Sequence, residues 1–236
     1  NQSGQEWAEK IISELKSMPN VVVKNRSQVF GYYDHNMLVM SERVSDHLPK
    51  TDKYIPKQRL WYIRAKEVVI SSGSIERPLV FGNNDAPGVM LSSAAKEYLK
   101  IYGVLVGKKP IIFTNNDSGY ETAIEFKKNG IDPIILDTRK EANSEIIKEA
   151  KELNIIIKFS YVVVAAKGYK KVNSADIARI SDDKKNLSNI ENIKCDCICV
   201  SGFWTPSIHL ASQSGNKTKF NEEIDAFIPS QSKQKE

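Results

Sequence analysis

The clearest candidates for functional residues form a turn between a buried strand and a helix, in PIIFTNNDSGYETA at positions 110–123. A dinucleotide-binding unit begins in this way, with a strand, a turn of pattern G-x-G-x-x-G and a helix whose N-terminus receives the pyrophosphate. Here only the third glycine, Gly119, is present, while Thr114 and Asn116 occupy the first two glycine positions. The turn therefore predicts either a cofactor site with unusual residues or a nucleotide fold that binds nothing at this point.

Three residues around this turn are weak cofactor-binding candidates. Gly119 retains the glycine that lets helix and strand pack closely. Asp137 ends the next predicted strand, where an acid would hold the ribose and favour NAD over NADP, although Arg139 nearby weakens that preference. Asn116 can form the turn, but its side chain fills space that a pyrophosphate needs, and Asp117 places a negative charge beside the phosphates. A retained fold without a ligand is the slightly favoured alternative.

A stronger nucleotide-binding candidate lies at the end of the strand-like segment EVVIS, in Ser72-Gly73-Ser74. A glycine at a strand end allows a ligand to approach the backbone closely, and Arg77 can reach a phosphate. An ordinary strand-to-loop turn, with Glu76 and Arg77 paired at the surface, accounts for the same local sequence equally well.

Two segments share one pattern, EVVISSGSIERP at 67–78 and CDCICVSGFWTP at 195–206. Each contains an apolar strand, a small residue, a glycine and a proline. Each would therefore bring the carboxyl end of a strand and a sharp glycine turn to the edge of a nucleotide site. The repetition predicts two nucleotide-binding folds, one nested in the other.

The other side chains that could react or bind a ligand are expected to have structural roles. None of the three histidines has a serine or cysteine in a recognisable nucleophile setting, so we interpret them as non-catalytic. The three cysteines of CDCIC alternate along a predicted strand, which places them on one face as buried free thiols, since no second Cys/His cluster completes a zinc site. Trp204 is suited to stacking on a ring, but core or interface packing is the favoured interpretation. The catalytic residues stay unknown, and no metal ligands are predicted.

The composition argues against several classes of protein. The 236 residues are 41% hydrophobic and 27% charged, as in an ordinary soluble globular protein. The net charge of +5 comes from scattered lysines rather than one basic face, which argues against nucleic-acid binding. No apolar run reaches the roughly 18 residues of a membrane span, and no signal peptide is recognisable. We expect a cytoplasmic protein without nucleic-acid or membrane partners, and, from its start at Asn1, a piece of a longer chain.

The predicted elements change character along the sequence. Capping-box spacing of Ser3 and Glu6 and apolar residues at helical intervals predict a helix at 3–18. From about residue 105, strands and helices alternate, which predicts a parallel sheet with right-handed crossovers. Hairpin strands, a polar stretch, a last strand and a disordered tail follow. The predicted strands are NVVVK, SQVFGYY, MLVMSERV, the two strands of RLWYIRAKEVVIS, PIIFT, DPIILD, IIIKF, YVVVAAKGY, KVNSADIARIS and CDCICVSG.

These patterns predict an α/β fold in which one domain is inserted into another. Residues 105–200 are predicted to form an inner, Rossmann-like dinucleotide-binding domain with three layers. Residues 1–104 and 201–236 are predicted to form part of an outer domain of the FAD/NAD(P)-binding type. The segment PLVFGNNDAPGVM, rich in glycine, proline and asparagine, is predicted to be a loop.

Several of these segments resemble a known family. They are VFGYYDHN, RLWYIRAKEVVISSGSIERPLVFGNNDAPGVM, FTNNDSGYETA and CDCICVSGFWTPSIHLASQSG. In this order, and with compatible spacing, they are similar to the alpha subunit of heterotetrameric sarcosine oxidase. The similarity covers nearly the whole chain, and the run from Arg59 to Met90 is far longer than a generic nucleotide motif.

The resemblance implies a glutathione-reductase-like part of a flavin-dependent oxidoreductase that acts on CH–NH groups. Such a complex converts sarcosine to glycine with formation of hydrogen peroxide and transfers a one-carbon unit to tetrahydrofolate. It implies NAD in this subunit, FAD and FMN in the parent complex, and tetrahydrofolate in a domain that this chain does not contain. The implied partners are the beta, gamma and delta subunits.

The resemblance also implies where NAD would bind. Val29, Ser72, Gly73 and Arg77 would line the site of the outer domain, by analogy with the adenine-side strand of this fold. The intact glycine fingerprint of that domain is expected before Asn1, and the folate domain after the last residue. No amine-oxidation catalyst can be named.

Two other functions fit the same residues. The chain could belong to an alpha-like subunit of an amino-acid or opine dehydrogenase, for which the two glycine turns are equally suitable. It could also be a non-catalytic nucleotide-fold scaffold that docks a flavin subunit, since glycines are missing from the inner turn and no catalytic constellation is recognisable.

Overall fold

The computed structural model describes residues 4–183 and 185–230, and the chain packs into two compact units. Unit 1 comprises residues 1–72, 207–221 and 227–236, and unit 2 comprises residues 73–206 and 222–226. The predicted division into outer and inner domains, at 104/105 and 200/201, stays a prediction. Ser3 of the predicted capping box and residues 231–236 of the predicted disordered tail lie outside the described residues.

The first segment of unit 1, up to residue 72, contains a helix and an antiparallel three-stranded sheet. The helix α1 (Gly4–Ser17) confirms the predicted N-terminal helix. The strands β1 (Ser27–Tyr33), β2 (Met37–Arg43) and β3 (Gln58–Arg64) confirm three of the predicted strands, and they pair in the order β1-β2-β3. The buried Tyr32 closes the turn between β1 and β2, because its hydroxyl donates to Asn36 Oδ1 at 2.7 Å.

Two strand predictions in unit 1 are wrong. Neither NVVVK at 20–24 nor EVVIS at 67–71 is a strand. Val22 and Val69 are 80% and 90% exposed, although valine is typical of strands. A strand exists through a ladder of hydrogen bonds to a neighbouring strand, and no strand within the described part of the chain pairs with these two segments.

Residues 73–206 of unit 2 contain most of the regular structure, and three short elements follow this segment in the chain. The elements in chain order are β4 (Ser74–Glu76), β5 (Val89–Leu91), α2 (Ser92–Tyr102), β6 (Pro110–Thr114), α3 (Ser118–Lys128), β7 (Ile134–Asp137), α4 (Glu145–Glu152), β8 (Ile156–Phe159), β9 (Tyr161–Lys167), β10 (Ser174–Arg179), β11 (Glu191–Lys194), β12 (Cys197–Ser201), β13 (Trp204–Pro206), α5 (His209–Gln213), β14 (Thr218–Asn221) and β15 (Ala226–Pro229).

The centre of unit 2 is a five-stranded parallel sheet with the strand order β5-β12-β6-β7-β8. Strand–helix alternation thus builds the parallel sheet that the sequence predicts. The segment PLVFGNNDAPGVM is not a loop throughout, because its last residues form β5 and pair with β12. The strand β11 lies in the polar stretch, for which no strand was predicted.

Unit 2 has three layers, with one core on each face of its central parallel sheet. One face of the parallel sheet packs on α2, α3 and α4 through residues such as Ile112, Ile135 and Phe126. The other face packs on an antiparallel sheet of order β11-β10-β9 through residues such as Phe113 and Ile177. Side chains alternate between the two cores along each central strand, so β6 and β12 are buried along their whole length.

The three cysteines are buried and free, as predicted, but they do not share one face. Cys197 and Cys199 belong to the core on the helix side, whereas Cys195 belongs to the core on the opposite side. The strand begins only at Cys197. The carboxylate of Asp196 accepts hydrogen bonds from the backbone amides of Lys108 and Lys109, directly before β6, and this interrupts the alternation of side chains between the two faces. Burial raises the pKa of Cys195 to about 12, so its thiol stays protonated and unreactive at neutral pH.

The two segments of shared sequence pattern lie side by side. β4, from EVVISSGSIERP, pairs antiparallel with β13, from CDCICVSGFWTP. Unit 1 ends and unit 2 begins between Ser72 and Gly73, at the start of β4, and unit 2 gives way to unit 1 again after Pro206, at the end of β13. In the described residues, no helix is long and apolar enough to cross a membrane.

We predict that Gly119→Ala destabilises the chain. A Cβ atom at this position would lie 2.8 Å from the Cβ of Thr114, in the buried contact between α3 and β6. Overpacking of a core costs about 1–3 kcal/mol, which opposes the gain of about 1 kcal/mol that alanine gives in a helix. Urea unfolding should therefore show a lower midpoint. Gly4→Ala is the matched control, since a Cβ there meets no atom within 4 Å, and it should not lower the midpoint. Equal effects of both substitutions would contradict this packing role.

Candidate nucleotide-binding sites

The degenerate turn lies where a dinucleotide binds in an open parallel sheet. β6 is the strand at which the order reverses, since β7 and β12 lie on its two sides. Ligands of such sheets bind outside the carboxyl ends of the strands, at this switch point. The strand register brings Thr114, Asp137 and Ser201 to the same edge, and all three are buried. We call the space at this edge the inner crevice.

The turn itself is closed by the hydroxyl of Thr114. Thr114 Oγ1 accepts a hydrogen bond from the backbone amide of Asn116 at 3.1 Å and donates to the carbonyl oxygen of Asn116 at 2.8 Å. The side chain that replaces the first glycine of the fingerprint therefore holds the turn. Gly119 is required because it faces this same side chain, as the sequence predicts for the third glycine.

The side chain of Asn116 crosses from the turn to β12. Its Nδ2 atom donates to the carbonyl oxygen of Ser201 at 3.1 Å and to Ser201 Oγ at 3.3 Å. Its Oδ1 atom accepts a hydrogen bond from the backbone amide of Ser118 at 2.8 Å, at the start of α3. The amide of Asn115 also donates to the carbonyl oxygen of Ser201 at 3.3 Å. The turn is therefore tied to the neighbouring strand across the switch point.

Asp137, the predicted ribose acid, is fully buried and has partners on both oxygens. Tyr120 Oη donates to Asp137 Oδ2 at 2.7 Å. The guanidinium of Arg139 donates to both carboxylate oxygens through Nε at 3.1 Å and to Oδ2 through Nη2 at 2.8 Å, and the backbone amide of Arg139 donates to Oδ1 at 2.9 Å. Both oxygens are thus used within the protein.

Arg139 also reaches the degenerate turn. Its Nη1 atom donates to Asp117 Oδ1 at 2.8 Å, so one guanidinium joins the end of β7 to the residue before α3. Its charged carbon lies 5.9 Å from the ring centre of Tyr120. The sequence placed Arg139 beside Asp137, but the separation of Asp117 and Arg139 along the chain gives no sign of their ion pair.

The electrostatics of this cluster keep Tyr120, Arg139 and Asp117 in their usual charge states. Burial, together with the hydrogen bond to Asp137, raises the pKa of Tyr120, so its hydroxyl stays protonated as a donor. Burial alone would lower the pKa of Arg139, but Asp137 and Asp117 outweigh it and raise that pKa. Burial likewise opposes ionisation of Asp117, and hydrogen bonds, including that from Arg139, lower its pKa nevertheless. The cluster is a carboxylate–guanidinium–carboxylate arrangement with one tyrosine donor.

A tryptophan that sequence reasoning placed in a core or interface also lies at this edge. Trp204 Nε1 donates to Ser118 Oγ at 2.8 Å, in the first turn of α3. The preceding residue, Phe203, has φ +87°, a conformation that L residues rarely adopt. Gly202 makes this path possible, because a Cβ there would lie 2.7 Å from the carbonyl oxygen of Arg77.

The polar side chains at the inner crevice bond to one another. The Asn116 carboxamide bonds to the carbonyl oxygen of Ser201 across the switch point, and Arg139 covers the carboxylate of Asp137. Among residues 4–183 and 185–230, no three His, Cys, Asp or Glu side chains cluster as metal ligands.

The residues predicted to line the outer site are less buried than those of the inner crevice. Gly73 has φ +67°, and a Cβ built there meets no atom within 4 Å. This position therefore allows the close approach that a cofactor backbone contact requires. Ser72 is exposed, and its hydroxyl donates to the carbonyl oxygen of Ser207 at 2.9 Å. Val29 is half-buried in β1, at an irregularity in its pairing with β2.

Arg77 is held by backbone oxygens. Its Nε donates to the carbonyl oxygen of Gly202 at 3.3 Å and its Nη1 to that of Asp225 at 2.8 Å. The alternative of a surface pair between Glu76 and Arg77 is wrong. Glu76 is buried and accepts a hydrogen bond from the amide of Ser93 at 2.8 Å, at the start of α2.

Comparisons of the sequence with known proteins identify relatives of this chain. The chain is 37% identical over 224 residues to the sarcosine oxidase subunit alpha of Rhizobium meliloti (strain 1021) and 31% identical over 225 residues to that of Corynebacterium sp. (strain U-96). The matches cover 94% and 95% of this chain but only 22% and 23% of those relatives, so the chain spans less than a quarter of their length. No family model matches the chain.

Solved structures give the same fold at lower identity. Thioredoxin reductase of T. acidophilum superposes with a TM-score of 0.66 at 14% identity, over 92% of this chain and 65% of that chain. L-proline dehydrogenase from P. horikoshii superposes with a TM-score of 0.62 at 19% identity, over 99% of this chain and 38% of that chain. The predicted α/β, Rossmann-like fold class is thereby confirmed.

We predict that Arg139→Gln strongly destabilises unit 2. The substitution leaves the buried Asp137 carboxylate without its cation, and removal of one partner from a buried pair costs about 3 kcal/mol. Lys140→Gln is the matched control at the next position, because it breaks the exposed pair with Asp182 and should leave the free energy of unfolding unchanged within error. Urea unfolding of the two variants measures the difference. Similar stabilities would show that Arg139 does not hold the edge of the sheet.

Proposed function

Because this chain belongs, over the region that it covers, to the family of sarcosine oxidase alpha subunits, we propose that it is the dinucleotide-binding part of such a subunit. The observation that carries the proposal is the match along nearly the whole chain, which includes the turn, the β4 segment and the β12–β13 segment. The fold, shared with a reductase and a dehydrogenase, is consistent with an oxidoreductase.

We propose that NAD binds to the outer fold rather than to the inner crevice. Gly73 supplies an open, left-handed position at which a Cβ would meet nothing. Ser72 and Val29 would supply further contacts, and Arg77 would supply a positive charge. When bound, a nicotinamide dinucleotide can accept or donate a hydride. The residues of this chain bind and orient it, and the inner residues Asn116, Gly119 and Asp137 maintain the fold.

The outer fold needs further strands for this role. The largely exposed segments 20–24 and 67–71 have the composition of buried parallel strands, but they join no sheet within the described residues. The longer relatives have room for partner strands and for a glycine fingerprint. This arrangement explains why two strand-forming sequences lie outside the sheets.

The full reaction belongs to the proposal as well. We propose oxidative demethylation of sarcosine to glycine in the cytoplasm, with hydrogen peroxide as a product and transfer of a one-carbon unit to tetrahydrofolate. FAD and FMN would act in the complex with the beta, gamma and delta subunits, and tetrahydrofolate would bind in another domain. A second candidate is a non-catalytic scaffold that docks a flavin subunit. The internally bonded inner crevice favours it.

Turnover tests the proposed reaction. The full-length polypeptide, co-expressed with its partner subunits, should produce hydrogen peroxide and glycine from sarcosine, and the polypeptide without its partners should not. A coupled peroxidase assay and amino-acid analysis measure both products. Turnover of another amine without peroxide, as in a dehydrogenase, would contradict the proposed substrate and oxidant.

We predict that Gly73→Trp in the full-length polypeptide lowers NAD affinity at least tenfold. The indole would fill the open space at the end of the 67–73 segment, where the cofactor backbone is proposed to approach. Gly103→Trp is the matched control, since Gly103 also has a left-handed φ, of +64°, and a Cβ added there, at the end of α2, meets no atom within 4 Å. Calorimetric titration with NAD compares the two. Equal affinities, with folding intact, would exclude Gly73 from the site.

A further inference from the structure

We propose that the inner crevice is closed by the chain's own side chains and that Asn116 and Arg139 are the residues that exclude a dinucleotide from it. The two side chains take the positions at which a bound dinucleotide would place its pyrophosphate and its ribose. The proposal concerns unit 2 alone, and it deepens the proposed function because it leaves only the outer fold for NAD.

Four backbone donors of the turn and of the start of α3 already have partners. Phosphate binding at a helix start requires amides that point to the ligand. The amide of Asn115 donates to β12, that of Asn116 to the Thr114 hydroxyl and that of Ser118 to the Asn116 carboxamide. The amide of Tyr120 donates to the carbonyl oxygen of Asp117. A phosphate would have to replace internal hydrogen bonds rather than complete a set of open ones.

The carboxamide of Asn116 reproduces the contacts of a ligand on both sides of the switch point. Its oxygen caps the first turn of α3, as a phosphate oxygen would, at 2.8 Å from the Ser118 amide nitrogen. Its nitrogen bonds to Ser201 on β12, the strand across the crevice. A glycine at this position could make neither contact, because both use side-chain atoms.

The guanidinium of Arg139 takes the contacts that ribose hydroxyls would make. An acid at the end of the second strand normally accepts hydrogen bonds from the ribose. Here both Asp137 oxygens accept from Arg139, and Oδ2 accepts in addition from Tyr120. The same guanidinium bonds to Asp117, whose negative charge would repel a pyrophosphate. The bonded guanidinium of Arg139 and the charge of Asp117 thus both oppose binding of a dinucleotide.

The test is to open the crevice in a chain whose outer site is blocked. The starting protein is the 236-residue chain with Gly73→Trp. The opened variant adds Asn116→Gly, Asp117→Asn and Arg139→Ser, which free the pyrophosphate position and the Asp137 carboxylate and leave no unpaired charge at position 117. Calorimetric titration with NAD, and with ADP-ribose to separate the adenine half from the nicotinamide, measures binding. We expect the opened variant to bind at least tenfold more tightly than the starting protein.

Two further variants keep the comparison interpretable. Asn116→Gly alone retains the Arg139 ion pairs, so it serves if the combined substitutions prevent folding, and it should give a smaller gain in affinity. Lys140→Gln in the same background changes one exposed charge near the crevice and should give no gain. Circular dichroism melts establish that each variant is folded.

Two results would overturn the proposal. Tight NAD binding by the starting protein that Asn116→Gly weakens would make Asn116 a ligand-binding residue. No gain in affinity by any folded opened variant would show that other features close the crevice. Either result leaves the proposed sarcosine reaction untouched, because that reaction is measured as peroxide formation in the assembled complex.

Discussion

The charge cluster around Arg139 is the interaction on which unit 2 depends. A fully buried carboxylate is costly unless it is paired and hydrogen-bonded, and Asp137 is fully buried at the end of a central strand. Arg139 and Tyr120 supply that compensation, and Arg139 extends the cluster to Asp117 in the turn before α3. The cluster fixes the end of β7 relative to the start of α3, at the edge where related folds bind ligands.

The inner crevice combines the fold of a dinucleotide site with side chains that bond to one another. The sheet order, the strand–turn–helix unit, the third glycine and the acid after the second strand are all present. Their contacts are nevertheless internal, because Thr114 and Asn116 add side chains where the fingerprint has none, and Arg139 adds a cation beside the acid. Fold and function are thus separate questions here, and only the residues at the edge distinguish them.

The sequence allowed the longer elements of unit 2 and the role of Gly119 to be predicted, because apolar periodicity and glycine packing are local, but it did not reveal the short strands β4, β5, β11 and β13. It did not reveal that Cys195 lies on the opposite face from Cys197, since the cause is the bonding of Asp196 to the β6 loop. It also predicted strands at 20–24 and 67–71 from composition alone, although strands require neighbours. Arg139 was recognised beside Asp137, but its contact with the turn before α3 depends on the meeting of two strand ends in the folded sheet.

Hydrogen–deuterium exchange of the full-length polypeptide, with and without saturating NAD, tests the central claim most directly. If NAD binds only in the outer fold, the backbone amides of residues 70–77 should gain protection. The amides of residues 115–120 should be protected already in the absence of NAD, because most of them have internal acceptors, and they should not change. New protection at 115–120 on addition of NAD would contradict the account, since it would show that the inner crevice takes the cofactor.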